Sequence, residues 1–228
     1  LVNILLTLVT SLGSVMLPRV SNLLSSGDHK AVNKMHQMSF LIYNLVIFPM
    51  MAGILIVNAD FVQFFLGQDF QDARYAIAIM IFRMFFIGWT NIMGIQILIP
   101  HNRNKEFMIS TTAPAIISVG LNLLFLPKLG YIGAAIVSVL TEALVWAIQL
   151  YFTRRYLKEV PIIGSMTKII LASAIMYGIL LGSKTVIHFS PTLNVLVFAV
   201  LGGIIYLFAI LSLKVVDVKE LKQIIGKK

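Results

Sequence analysis

The sequence contains no cysteine, which excludes a disulfide scaffold, a thiolate metal site and cysteine nucleophile chemistry. It is also poor in charge: only 12% of its 228 residues are Asp, Glu, Lys or Arg, against 59% hydrophobic. With a mean hydropathy of +0.93, that balance lies far outside the range of a water-soluble domain. No initiating methionine is present and no basic n-region precedes the opening apolar run LVNILLTLVTSLGSVML, so a signal peptide is not expected. The expectation is instead that residue 1 lies inside a helix of a longer protein. There is no phosphate-cradling glycine loop and no nucleophile elbow. His29, His36, His101 and His188 are scattered over different connections or their edges and show no metal-ligand spacing. Nothing points to an enzyme, a cofactor or a metal.

What is present is a series of apolar runs, each long enough to cross a bilayer at about 17–25 residues. They cover roughly residues 1–17, 38–58, 75–99, 107–126, 131–152, 169–187 and 192–213. Their length and their Leu, Ala, Met and Phe content favour helices over barrel strands, which would alternate over about ten residues. The predicted fold is therefore an all-α polytopic membrane protein with seven spans over residues 1–228 and a basic tail at 214–228.

The net charge of +9 raises the question of nucleic acid, but its distribution answers differently. Alternate connections carry fourteen Lys and Arg on one side and three on the other, with Arg83 inside a span. That asymmetry is the positive-inside pattern, and it accounts for the charge without a nucleic-acid partner. It places the C-terminus in the cytoplasm. The longest connection, residues 18–37, holds Pro18 and a Gly27-Asp28 turn and is expected to form an interfacial elbow.

Arg83 and Glu142 are the chemically expensive residues, because arginine at the centre of a membrane helix costs about 2.5–3.5 kcal/mol on insertion scales. Arg83 lies eight residues into the third span and Glu142 eleven residues into the fifth, roughly 12 and 16 Å deep at the helical rise. The two helices run in the same direction, so an ion pair is permitted. Three roles remain open: a structural pair, a substrate or coupling role in a shared aqueous cavity, and snorkelling of Arg83 to the interface. Arg83 shares its helix side with Thr90, Asn91 and Gly94, and Glu142 with Ser138 and Gln149. The intervening span aligns Thr111, Ser118 and Asn122. Arg83, Glu142, Asn91, Asn122 and Gln149 are the candidate translocation-path residues, although small polar residues also serve ordinary helix packing. Pro49 and Pro114 are expected to kink or loosen their spans. Ala174, Gly178 and Gly182 form a small-residue face suited to close helix contact.

Four stretches carry a family resemblance: MLPRVSNLLSSGDHKAVNK (16–34), FPMMAGILIVNADFVQFFLGQDFQDA (48–73), IQILIPHNRNKEFM (95–108) and NLLFLPKLGYIGAAIVSVLTEALVW (122–146). The last is the most specific, with Leu126-Pro127, a turn glycine, Gly133-Ala134-Ala135 and an intramembrane glutamate. Over essentially its whole length the chain resembles the C-terminal half of a bacterial polysaccharide (oligosaccharide) flippase of the multidrug/oligosaccharidyl-lipid/polysaccharide exporter superfamily. The resemblance implies seven of fourteen helices in a two-bundle transporter of the bacterial cytoplasmic membrane. It further implies flipping of an undecaprenyl-diphosphate-linked oligosaccharide repeat unit by alternating access. Arg83 would face the diphosphate or acidic sugars, with Glu142 tuning it or carrying a coupling proton or sodium ion. The partners implied are a lipid-linked oligosaccharide, membrane lipids and an N-terminal bundle, without which the chain is expected to be inactive. Lipid II flippases and multidrug antiporters of the same superfamily share related patterns and are the alternatives. A seven-helix receptor or retinal protein fits poorly, since residues 192–213 contain no lysine.

Overall fold

The computed structural model describes residues 16–186 and 189–215, all of the regular structure among them helical. The span expected at 1–17 and the tail from 216 onward therefore lie essentially outside the described residues, as does His188. Residues 16–25 are helical and are labelled α1, with Pro18 among them. A short turn at 26–28 follows, after which α2 runs from His29 to Phe65. Asp28 starts it, its Oδ1 accepting from the Ala31 amide at 3.0 Å, the N-cap geometry that supplies an orphan donor with a partner. The expected 20-residue elbow is thus two helices and a turn. The apolar run at 38–58 is the middle of a longer helix whose ends are polar.

α3 covers Ala73–Asn91 and continues as a π-helical segment, Ile92–Leu98. The cause is legible in the backbone. Pro100 has no N–H to give the carbonyl of Gln96, four residues earlier, and bonds reaching five residues back appear, from Ile99 N to Gly94 O at 3.1 Å and from Arg103 N to Leu98 O at 2.9 Å. The Gln96 carbonyl finds its partner on another helix: His36 Nε2 lies 3.1 Å from it. Ser39 donates to the Gln96 side chain at 2.7 Å, so α2 holds this residue by backbone and side chain together.

α4, Asn104–Leu157, is continuous in assignment but not in direction. Gly130 breaks it with φ 54 and ψ −136, values that a residue with a Cβ adopts only under strain. A Cβ on Gly133 would meet the Phe125 carbonyl at 2.6 Å, which two residues eight apart in one straight helix could never approach. Gln149 donates to Ser110 at 3.2 Å, across 39 residues. The two arms, 104–129 and 131–157, are therefore antiparallel and correspond to the fourth and fifth expected spans. α5 (Ile163–Lys184) and α6 (Pro191–Ser212) match the last two.

The chain divides into two compact units. The first holds the described residues up to Tyr43 with Asp72–Ile162, the second Asn44–Gln71 with the described residues from Ile163 onward. In the first, Tyr131 bonds the Asp72 carbonyl at 3.3 Å at one end, while Asn33 bonds Glu159 at 2.7 Å at the other. Arg74 and Lys128 lie at the Tyr131 end, and Arg103, Lys105, Arg154, Arg155 and Lys158 lie at the Asn33 end, so the charge asymmetry is a geometric one within this unit. Gly88 lets α3 meet α2 here, since a Cβ would fall inside the ring of Tyr43, whose hydroxyl donates to the Met84 carbonyl. The second unit is built on Ile56, Met176, Leu180, Phe198 and Tyr206. The Tyr206 hydroxyl donates to the Leu45 carbonyl at 2.7 Å. Ala174, Gly178 and Gly182 are exposed, and no atom comes within 4 Å of a Cβ built on either glycine, so the expected contact face is not used inside this unit.

Candidate functional site

Arg83 and Glu142 meet in the first unit. Arg83 Nη2 donates to Glu142 Oε1 at 3.0 Å and Nε to the same oxygen at 3.3 Å. Their side chains retain 29% and 19% of their surface, so the pair is neither sealed in the core nor reaching out alone. The snorkelling alternative thereby falls away, because the guanidinium is turned toward its carboxylate. Both bonds go to one oxygen, and among the described residues neither side chain has a further hydrogen-bond partner. Glu142 Oε2 and Arg83 Nη1 are left with capacity for another group. An arginine held in this way offers its remaining edge to an oxyanion as a planar fork of donors.

An aromatic group lies about one turn along the two helices from the pair, which periodicity alone does not disclose. Trp146, one turn beyond Glu142, packs against Phe86 at 5.8 Å, Phe85 at 6.2 Å and Trp89 at 6.4 Å between ring centroids. Phe40 of α2 closes on Trp89 at 4.8 Å. The Trp146 indole N–H is buried and has no hydrogen-bond partner among the described residues.

The other three candidates do not join the pair by any hydrogen bond. Asn91 lines a cavity of about 10 Å³ with Ser39, Tyr43, Gly88, Ile92 and Gln96, room for about one water. Asn122 bonds the Ser118 carbonyl of its own helix at 2.9 Å. Gln149 is 1% exposed and fastens the two arms of α4 through Ser110. Thr90, Thr111 and Ser118 likewise bond carbonyls within their own helices.

A second ion pair, not foreseen, lies in the other unit. Lys184 donates to Asp60 Oδ2 at 2.7 Å and to the Ile56 carbonyl at 2.6 Å. Asp60 Oδ1 accepts from Asn194 at 2.9 Å, and Asn194 Oδ1 accepts from the Phe189 amide at 3.2 Å. The cluster ties the ends of α2 and α5 to the start of α6. At the basic end of the first unit, burial holds the His101 imidazole below its ordinary pKa, helped by the nearby charges of Arg155, His29 and Arg103 and opposed by its bond to the Ile97 carbonyl.

Long apolar helices with an ion pair set between two of them define a multi-pass membrane protein. Comparison with known proteins makes this specific: the model of the lipid II flippase MurJ family matches residues 4–223, and the chain belongs to that family. It is 26% identical over 226 residues to an uncharacterised membrane protein of Methanocaldococcus jannaschii, covering 99% of this chain and 44% of that one. A putative O-antigen transporter of Escherichia coli K12 is 27% identical over 157 residues, 67% of this chain and 36% of the transporter. A probable low-salt glycan biosynthesis flippase, Agl15, of Haloferax volcanii is 20% identical over 204 residues, 86% of this chain and 41% of the flippase. Among solved structures, lipid II flippase MurJ in an inward closed conformation shares the fold, with a TM-score of 0.73 at 19% identity over 86% of this chain and 41% of that one. The chain thus belongs to the superfamily of lipid-linked glycan flippases and spans less than half the length of these relatives.

Proposed function

We propose that this chain supplies one helix bundle of a transporter that flips an undecaprenyl-diphosphate-linked oligosaccharide repeat unit across the bacterial cytoplasmic membrane. The observation that carries the reading is the Arg83–Glu142 pair, set within apolar spans, partly open, and with donors and acceptors to spare. Arg83 would take the diphosphate or an acidic sugar on its free edge. Glu142 would hold the guanidinium in orientation between transport events, or carry the coupling proton or sodium ion. Asn91, Asn122 and Gln149 would act, if at all, by setting the helices that carry the pair. Alternating access would require an N-terminal bundle beside this chain, and the fourteen-to-three charge asymmetry supports a cytoplasmic C-terminus.

The oligosaccharide rather than lipid II is favoured by two relatives, a putative O-antigen transporter and a probable glycan biosynthesis flippase. Lipid II is the second reading, favoured by the family model itself. Expression of the chain with its upstream coding sequence in two bacterial strains, one lacking its repeat-unit flippase and one depleted of its lipid II flippase, separates the two. Restored surface polysaccharide supports the first reading. Rescue of growth in the depleted strain alone supports the second.

A further inference from the structure

At the basic end of the first unit, several cations converge on one phenol. The Tyr156 ring lies 4.1 Å from the His101 ring, and the Arg155 guanidinium carbon stands 4.6 Å over it. Arg155 also donates to the Tyr156 hydroxyl, and Arg103 lies near enough to the same residue to interact with it electrostatically. His29, at the start of α2, is close enough to press on His101 electrostatically, and the Asn33–Glu159 bond fixes that start against the end of α4. Three separate chain segments therefore bring two arginines and two histidines together.

Loop charges of a membrane protein gather on one side in any case. That rule explains which side is basic and leaves open why arginine and histidine side chains gather around a single ring. The two carboxylates present are engaged: Glu106 accepts from Arg103 Nε at 2.8 Å, and Glu159 from Asn33. Among the described residues, Arg154, Arg155 and Lys158 have no carboxylate within 4 Å, and Arg154 instead lies 4.5 Å over the Tyr151 ring. The last turn of α4 lies just past the apolar run ending at 152, where a span of that length would leave the hydrocarbon.

We infer that Arg103, Arg155 and Tyr156, with His29 and His101 beside them, form a binding site for a lipid-borne phosphate at the membrane surface. Guanidinium forks suit a phosphate oxyanion by charge and by geometry, and a tyrosine hydroxyl adds a donor at the same place. Two sources present this chemistry: the head group of an anionic phospholipid and the diphosphate of a polyprenyl lipid arriving from the same leaflet. The site is separate from Arg83 and stands whether or not the flipping role assigned to Arg83 holds.

Native mass spectrometry of the detergent-solubilised chain, titrated separately with phosphatidylglycerol, undecaprenyl diphosphate and inorganic pyrophosphate, tests the inference. Saturable binding is expected, weakened about tenfold by Arg155→Gln and again by Arg103→Gln, as the loss of one charge-assisted bond implies. Lys128→Gln, at the opposite end, should leave it unchanged, and Arg155→Lys should fall between. Preference for phosphatidylglycerol assigns the site to bulk lipid, preference for undecaprenyl diphosphate assigns it to the substrate's leaflet, and competition by pyrophosphate isolates the phosphate chemistry. Circular dichroism and elution volume confirm that each variant is folded. No saturable binding of any of the three, or equal binding by the parent, Arg155→Gln and Arg103→Gln, overturns the inference.

Discussion

Two of the ion pairs among the described residues, Lys184–Asp60 and Arg83–Glu142, differ in how completely they are used. Lys184 and Asp60 sit at helix ends, and each of their contacts leads to another: lysine to carboxylate and carbonyl, carboxylate to Asn194, Asn194 to a backbone amide. Arg83 and Glu142 sit well inside their helices and share one oxygen, with nothing further attached. A closed network resists exchange, because any replacement must substitute several bonds at once. A pair with spare capacity can trade its partner for a ligand at little loss. The contrast suggests that one pair holds the fold and the other works.

The largest effect expected from this contrast is functional. Arg83→Ala, expressed with its upstream coding sequence, should lower transport at least about thirtyfold, the scale of losing one partner from a desolvated charge contact. Surface polysaccharide in a flippase-deficient strain reads it. In stability, Gly88→Val should be the most damaging single change considered, costing about 3 kcal/mol or preventing folding, because the new side chain enters the Tyr43 ring. Asp60→Ala should cost about 2 kcal/mol in a detergent unfolding assay by stranding Lys184 and Asn194. The double change Arg83→Gln with Glu142→Gln should move the same assay by only about 0.6 kcal/mol, the average for polar contacts between membrane helices. If the two ion pairs cost the same when removed, the distinction between them is gone.

Smaller effects sharpen the picture at its edges. Gly178→Ala should stabilise α5 by about 0.5 kcal/mol, since no neighbour occupies the space and alanine is the better helix former. A marked loss would reveal a partner on that face. The His101 imidazole, held below its ordinary value of 6.5, favours the neutral form in the folded protein. Its contribution is therefore complete above pH 6.5 and is lost as pH falls through the lower folded value. Glu106, held below 4.5 by its bond to Arg103, adds a second loss at lower pH by the same sign. His101→Asn should remove the upper of the two steps in a thermal-shift series from pH 7 to pH 4.

The spans were readable because bilayer thickness demands long apolar runs, and five helices of the described residues meet that demand, one of them folded back at Gly130. The Leu-Pro-Lys-Leu-Gly stretch at 126–130 announced that reversal. Helix ends were less legible: α2 begins at His29, nine residues before the apolar run, because Asp28 caps it and hydropathy does not register a cap. Pro100 could have signalled irregular bonding at Gln96, yet the π-helical form and the rescue of its carbonyl by His36 depend on a contact 60 residues away. The meeting of Arg83 and Glu142 was permitted by similar depth in two helices running the same way, which left other roles open. Lys184 and Asp60, 124 residues apart, looked like lone loop charges, and nothing local tied them together.

The central claim is that Arg83 serves transport while Asp60 serves the fold. Its most direct test measures transport and unfolding stability side by side for Arg83→Gln and Asp60→Asn, each expressed with the upstream coding sequence. The account predicts that Arg83→Gln abolishes surface polysaccharide with near-parental stability, while Asp60→Asn lowers stability and retains transport in proportion to the folded fraction. Parental transport by Arg83→Gln at normal expression would contradict it.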